Sequence, residues 1–303
     1  MIPFNKNFAF EYGAAYRMSP RVQRVVARNP GRFTWTGTGA IVVGDEREVA
    51  VIDPGPNQED HLLALDAAID GRRVTAVLVT HNHLDHSGLS RRLADRHDAP
   101  LCGRRGVSAP DDGADARLEA GDDESFSPDI QVFDGWRTGG EGWTISALHT
   151  PGHTAQHYCF NLEEERTLFC GDHVMAWSTS VVTPPDGHMG SYVASLQRVR
   201  DMNFTRLVPT HGPHIDNPRP FIDAYISHRL RRREEILGQL QRGAQTIRAM
   251  VDGLYHELDP ALRPAAALSV WAHLVQLVEE GLAVTEAPGG LSGVYELRTA
   301  HAA

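Results

Sequence analysis

Thr80-His81-Asn82-His83-Leu84-Asp85-His86-Ser87-Gly88 places three imidazoles and a carboxylate within six residues. The run before it, Val74-Thr75-Ala76-Val77-Leu78-Val79, is β-branched and almost wholly apolar, the composition of a strand covered on both faces. Residues 87–97 return to helical spacing. One buried histidine is ordinarily a satisfied core residue. Three beside an aspartate are not, because an unpaired cluster of that kind carries a severe desolvation cost. A metal removes the cost. At a strand end the chain turns sharply, so His81 and His83 are expected to face one ion while Asp85 and His86 face a second. These donors suit zinc, at bond lengths of about 2.0–2.2 Å.

Three further candidates follow other strand-like runs: His153 in Thr150-Pro151-Gly152-His153-Thr154, Asp172 in Cys170-Gly171-Asp172, and His211 in Pro209-Thr210-His211-Gly212-Pro213. Their glycines and prolines permit tight turns that point each side chain back over a sheet edge. The set divides into His81, His83 and His153 on one ion and Asp85, His86 and His211 on the other, with Asp172 bridging both beside a shared water.

The flanking pattern alternates strands with helices. Strands are expected at residues 40–43, 49–52, 74–80, 100–102, 130–133, 143–148 and 206–209, with a hairpin of residues 157–161 and 167–170 across Glu163-Glu164-Glu165-Arg166. Helices are expected at 59–69, 87–97 and 189–203. Residues 103–124, rich in Gly, Asp and Arg, read as a solvated surface loop. From Pro218 the character is helical, with runs at 221–241, 246–258 and 264–280. A hairpin of 282–284 and 294–297 closes the chain around the turn Pro288-Gly289-Gly290. This order predicts a winged helix and a boundary that divides residues 1–217 from 218–303. The hairpin unit carries eight arginines against ten acidic residues from Phe221 onward, too little positive charge to hold duplex DNA phosphates. A structural or dimerising role, including a homodimer, fits it better.

Composition agrees with a soluble two-domain chain of 303 residues, 41% hydrophobic and 22% charged. No apolar run reaches the roughly 18 residues of a membrane span and no signal-peptide layout opens the sequence, so a cytoplasmic location without membrane contact is expected. Cys102, Cys159 and Cys170 lie outside any CxxC, which argues against a disulfide framework or a zinc ribbon. The formal net charge of −10 disfavours polyanion binding through bulk electrostatics.

With all seven positions in place, the HxHxDH signature and its separate His, Asp and His resemble the metallo-β-lactamase superfamily over residues 40–213. The resemblance implies an α/β fold, a four-layer αββα sandwich with two metals at one edge of its sheets. Val51-Ile52-Asp53, the Thr-Pro-Gly-His-Thr turn, Tyr225-Ile226-Ser227-His228-Arg229 and the terminal winged helix are similar to the beta-lactamase-like protein 2 branch, whose eukaryotic members are associated with endoribonuclease activity. Two zinc ions per chain are expected, with manganese or iron as alternatives. Such a pair lowers the pKa of a shared water from about 15.7 toward neutrality, so the expected nucleophile is a metal-bridging hydroxide. Asp85 would orient the attacking oxygen, and Asp85, His86 and Asp172 are the expected catalytic residues.

The expected substrate is a small ester or thioester, as in glyoxalase II relatives, or single-stranded RNA. Two other classes remain open: a mononuclear iron enzyme resembling the persulfide dioxygenases, and a non-enzymatic DNA-binding regulator. Among the neighbours, Asp53 is either an outer partner of a ligating imidazole or a turn cap. Tyr192 and His188 are candidate substrate contacts beside the loop of residues 175–187. His228 and Arg229 are read as a tie between helix and domain or as a phosphate site, His214 as an exposed turn histidine or an outer ligand or proton carrier, and His173 and His157 as structural or surface residues, with His61, His97, His149, His256, His273 and His301.

Overall fold

Alternating burial on consecutive apolar residues builds the first sheet. Val42, Val49, Val51 and Val77 face one helical layer, while Ile41, Val43, Ala50, Ile52 and Leu78 face the second sheet, as the two-residue period of a strand covered on both faces requires. The computed structural model describes residues 1–106, 121–286 and 290–298. The centre of the 103–124 loop, the Pro288-Gly289 turn and His301 lie outside the described residues.

The first sheet runs in chain order through β1 (Ala15–Arg17), β2 (Val22–Val26), β3 (Gly39–Gly44), β4 (Glu48–Ile52), β5 (Arg73–Leu78), β6 (Leu101–Gly103) and β7 (Ile130–Gln131). Pairing is antiparallel as far as β4 and parallel from β4 to β7. Helices α1 (Glu59–Ile69), α2 (Leu84–Ser87) and α3 (Ser90–Arg96) form the crossovers, and Leu62, Leu65, Ile69, Leu89 and Leu93 cover the outer face.

The second sheet has the order β13-β12-β11-β10-β9-β8, from β8 (Arg137–Gly140), β9 (Trp143–His149), β10 (Tyr158–Leu162), β11 (Thr167–Gly171), β12 (Arg206–Pro209) and β13 (Ile215–Asp216). Trp143, Ile145, Phe160, Leu162 and Phe169 meet the inner face of the first sheet. Leu148, Cys159, Leu168 and Leu207 meet α4 (Met189–Asp201) and the start of α5 (Pro218–Leu240). The four layers are therefore helix, sheet, sheet and helix.

The last core gathers Ile236 and Leu240 of α5, Ile247, Met250 and Val251 of α6 (Ile247–Leu254), Trp271, Leu274 and Leu277 of α7 (Arg263–Glu279), and the sheet β14 (Gln245–Thr246), β16 (Val294–Leu297), β15 (Ala283–Thr285). This is the winged helix. Helix α5 serves both cores, since Phe221, Ile222 and Tyr225 at its start pack beneath the second sheet.

Two local expectations are corrected, and three strands, β1, β2 and β8, have no counterpart in the sequence reading. The single helix at 87–97 is two helices, because the Asp53-Pro54-Gly55 turn takes over hydrogen bonds at the join: Gly55 N–H donates to His86 O at 3.0 Å and Leu89 N–H to Gly55 O at 2.9 Å. The strand at 130–133 stops at Gln131, and Phe133 is exposed. Strands β1, β2 and β8 carry no simple alternation; β2, Val-Gln-Arg-Val-Val, buries Arg24 completely.

The turn after β9 is fitted closely to α4. Gly152 has φ +145°, and a Cβ there would stand 2.3 Å from Tyr192 Cα, a backbone atom that yields only if the helix moves. Gly152→Ala should lower the unfolding free energy by about 2–3 kcal/mol. Gly71→Ala, at φ +70° with open space around it, should cost about 1 kcal/mol. Denaturant titration compares the two, and equal losses would show that packing against α4 is not the cause.

Candidate metal centre

The carboxyl ends of β5, β9, β11 and β12 point to one edge of the sandwich, where α/β folds present ligand sites. The segment after β5 brings His81, His83, Asp85 and His86, the last two in the single turn of α2. His153 follows β9, Asp172 follows β11, and His211 follows β12. All seven expected residues converge. His81, His83 and His153 form one group, His81, His86 and Asp172 a second, and Asp85, His86 and His211 a third; within each, the ligand atoms lie within 4.8 Å of one another.

His81 Nε2 stands 2.9 Å from His83 Nδ1 and 3.2 Å from His153 Nε2. His211 Nε2 stands 3.2 Å from Asp85 Oδ2, and His86 Nε2 3.7 Å from the same oxygen. Asp172 faces both sides: Oδ1 lies 3.6 Å from His86 Nε2 and 3.5 Å from His211 Nε2, while Oδ2 lies 4.0 Å from His153 Nε2. Ligand atoms around a tetrahedral ion with bonds of 2.0–2.1 Å are about 3.3 Å apart, inside this spread. His86 Nε2, His211 Nε2 and Asp172 Oδ1 are buried and make no hydrogen bond among the described residues. Burying three such atoms without partners is costly, and divalent cations satisfy them together. The residues fit a metal.

The outer nitrogens explain why the inner ones are available. His86 Nδ1 faces Asp53 Oδ2 at 2.9 Å, His153 Nδ1 faces Val181 O at 2.7 Å and His211 Nδ1 faces Gly37 O at 3.2 Å. Each acceptor requires a proton on Nδ1, which leaves Nε2 as the nitrogen that can bind a metal in the proton's place. For His81 the argument has one more link. Thr80 Oγ1 donates its only proton to Asp53 Oδ2 at 2.8 Å, so it accepts from His81 Nδ1 at 3.0 Å. Asp53 also accepts from Thr80 N–H and Thr210 Oγ1, both at 2.8 Å. It is the outer partner of an imidazole rather than only a turn cap.

The electrostatics demand positive charge. Burial, then its imidazole neighbours, hold His81 well below the usual histidine range. Burial, then His153, pulls His83 down to about 3. Both are thus neutral, the form that binds metal. Burial alone would raise Asp85, but His86 and His211 outweigh it and bring it down to about 2. Burial opposes charge on His86 as well, yet Asp85, Asp172 and Asp53 lift it well above the ordinary value.

Sequence reasoning set His157 aside, but its Nε2 accepts from Asp172 N–H at 3.3 Å and its Nδ1 meets Thr150 Oγ1 at 2.9 Å, so it steadies the Asp172 turn. Gly171, at φ +51°, makes this approach possible; a Cβ would lie 2.6 Å from His157 Nε2. Arg24 was also missed. Its guanidinium donates to the carbonyls of Pro209, Thr210 and Gly212 at 2.7–2.9 Å and holds the loop that carries His211. Neither Tyr192 nor His188 joins the group. Tyr192 is fully buried and its hydroxyl donates to His173 O at 2.8 Å. His188 caps α4 and reaches Glu279 of α7 at 2.7 Å. His214 pairs with Asp216 at 3.3 Å.

Asp53 has four donors and no substitute, so Asp53→Ala should weaken divalent-metal affinity about 10–100-fold while the seven inner residues remain. Equilibrium dialysis with elemental analysis reads this directly; unchanged affinity would show that Asp53 serves the fold alone.

The metallo-beta-lactamase superfamily profile matches residues 34–211, more than half of the chain, and the beta-lactamase associated winged helix domain matches residues 246–289. A beta-lactamase-like protein 2 homolog of Caenorhabditis elegans is 31% identical over 274 residues, which cover 88% of this chain and 87% of the relative. A protein of Pseudocercospora fijiensis named atrochrysone carboxyl ACP thioesterase is 32% identical over 298 residues, covering 94% and 82%. The crystal structure of a beta-lactamase domain protein from Burkholderia ambifaria shares the fold with a TM-score of 0.81 at 22% identity, covering 96% of each chain. The chain belongs to the metallo-β-lactamase superfamily, as a hydrolase of that fold with its associated winged helix.

Proposed function

We propose that this hydrolase cleaves thioesters, with an acyl group carried on a thiol arm as its substrate. The observation that carries the reading is Asp172, whose two carboxylate oxygens face the two halves of one His/Asp cluster. The thioester itself is supported by relatives named as acyl carrier protein thioesterases, which this chain matches over most of its length. The net charge of −10 favours such a substrate over single-stranded RNA.

His81, His83 and His153 would hold one ion and Asp85, His86 and His211 the other, with Asp172 shared. Zinc suits these nitrogen and oxygen donors. When bound, the pair of ions acidifies water and stabilises charge on the acyl oxygen. Asp85 lines a cavity of about 570 Å³ together with Phe33, Thr34, Pro56 and Leu84, and so stands between the cluster and the space a substrate would take. There it accepts a hydrogen bond from the attacking water and orients it. Phe33, Pro56 and Leu84 offer apolar surface to the acyl chain. A C–O bond forms as the C–S bond breaks, and the products are a carboxylic acid and a free thiol. Residues 1–217 supply this chemistry in our reading, and residues 218–303 shape the approach to it.

Asp85→Ala should reduce turnover roughly 10²–10⁴-fold and lower metal content, with the circular dichroism spectrum retained; full turnover would refute the role given to Asp85. Chelation should abolish activity and zinc should restore it, at two ions per chain by elemental analysis. A single iron per chain would favour the dioxygenase-like alternative. Side-by-side assays of thiol release from an acyl-pantetheine thioester and of cleavage of a labelled single-stranded RNA decide the substrate class. RNA cleavage without thiol release would overturn the thioesterase reading.

A further inference from the structure

Between the catalytic layers and the winged helix lies a second cavity of about 400 Å³. We propose that it is a subsite for the phosphate of a phosphopantetheine-type thiol arm, an inference that rests on the thioesterase reading and adds recognition of the carrier to it.

The charge of the walls is the first observation. Lys6, the single lysine of the chain, lines the cavity with Arg229 and Arg232, and no aspartate or glutamate is among the described lining residues. In a chain of net charge −10 this is a local inversion of sign. Arg229 is 3% exposed. Its Nη2 donates to Ser180 O and its guanidinium stacks over Tyr192 at 5.2 Å, while its Nε makes no hydrogen bond among the described residues. No carboxylate pairs with it among those residues, so its charge is buried without an anion. Arg232 is positioned more tightly, over Tyr255 at 4.1 Å and against Glu235 at 2.6 Å. The field is felt by nearby imidazoles: burial and then the adjacent arginines bring His228 down to about 4 and His273 to about 3.

The remaining walls fit the arm rather than a bare ion. Met175, Val182, Leu258 and Leu262 are apolar, and Ser178, Thr179 and Ser269 offer hydroxyls. A phosphate tethered to an amide-containing chain needs both kinds of surface. Arginine forks match phosphate oxygens in geometry.

The location ties the cavity to the reaction. The segment that follows Asp172 runs through Met175 to Val181, whose carbonyl accepts from His153 Nδ1. Trp177 in the same segment packs against Gly212, beside His211. One side of the segment therefore braces the His/Asp cluster while the other lines the cationic cavity. Arg32 and Phe33 line both this cavity and the one that contains Asp85, so the two adjoin. A thioester in the first can extend its thiol arm into the second.

Calorimetry on the full-length protein with 4′-phosphopantetheine and with pantetheine tests the subsite without any turnover. The phosphorylated arm should bind about tenfold more tightly, the increment of one good charge-assisted hydrogen bond. That difference should shrink in Lys6→Gln and in Arg232→Gln, and with added salt; equal dissociation constants in the native protein would overturn the proposal. The same two variants should raise KM for an acyl-phosphopantetheine thioester and leave hydrolysis of the acyl-pantetheine thioester unchanged. If both thioesters are cleaved at one kcat/KM and the affinities are equal, the subsite falls and the thioesterase stands. If neither is cleaved while the affinity difference persists, the thioesterase reading falls and the phosphate subsite stands.

Discussion

The buried carboxylate of Asp53 is the junction on which the active edge depends. It is 1% exposed and no arginine or lysine pairs with it among the described residues. Its stabilisation comes from four donors: the backbone and hydroxyl of Thr80, the hydroxyl of Thr210 and the ring of His86. Thr80 lies just beyond β5 of the first sheet and Thr210 just beyond β12 of the second. One carboxylate therefore pins the two sheets together where they must present side chains to a common centre. A buried network of this sort stabilises only when it is complete, which explains why its donors are so fully committed.

Around that junction the chain separates the task of holding side chains from the task of binding. Backbone carbonyls and Asp53 occupy the outer nitrogens of His86, His153 and His211. The inner nitrogens and Asp172 are left facing one another at distances that suit shared cations. Arg24 performs the corresponding service for the backbone, with three carbonyls of the His211 loop drawn to one guanidinium. His86 Nε2, His211 Nε2 and Asp172 Oδ1, which make no hydrogen bond among the described residues, thus meet at the place where ions would be received.

Much of this was legible in the sequence. Residues 80–88 and the three Gly/Pro turns carry their chemistry in residue type and spacing, and all seven side chains meet. The order of three helices and a hairpin identified the winged helix. What escaped notice is non-local or carried by backbone. The partners of Arg24 are carbonyls 185–188 positions away, which leave no trace in side-chain pattern. His157 works by accepting from a main-chain N–H. The break between α2 and α3 arises from hydrogen bonds with Gly55, thirty residues upstream, against a local spacing that favours one helix. Tyr192 and His188 were read by proximity in sequence to a loop, and tertiary packing gave them other partners.

Helix α5 spans 23 residues without interruption. Its beginning is fixed beneath the second sheet, where the Tyr225 hydroxyl meets both the N–H and the carbonyl of Met175, and its end lies in the core of the winged helix. A rigid rod anchored in two cores transmits unfolding as well as support. Loss of either core strips one end of the helix of its packing, so thermodynamic cooperativity extends across what the topology divides. The terminal unit behaves less as an appended module than as a buttress, and damage to the wing should be felt three residues beyond Asp172, at the start of the segment that separates the two cavities.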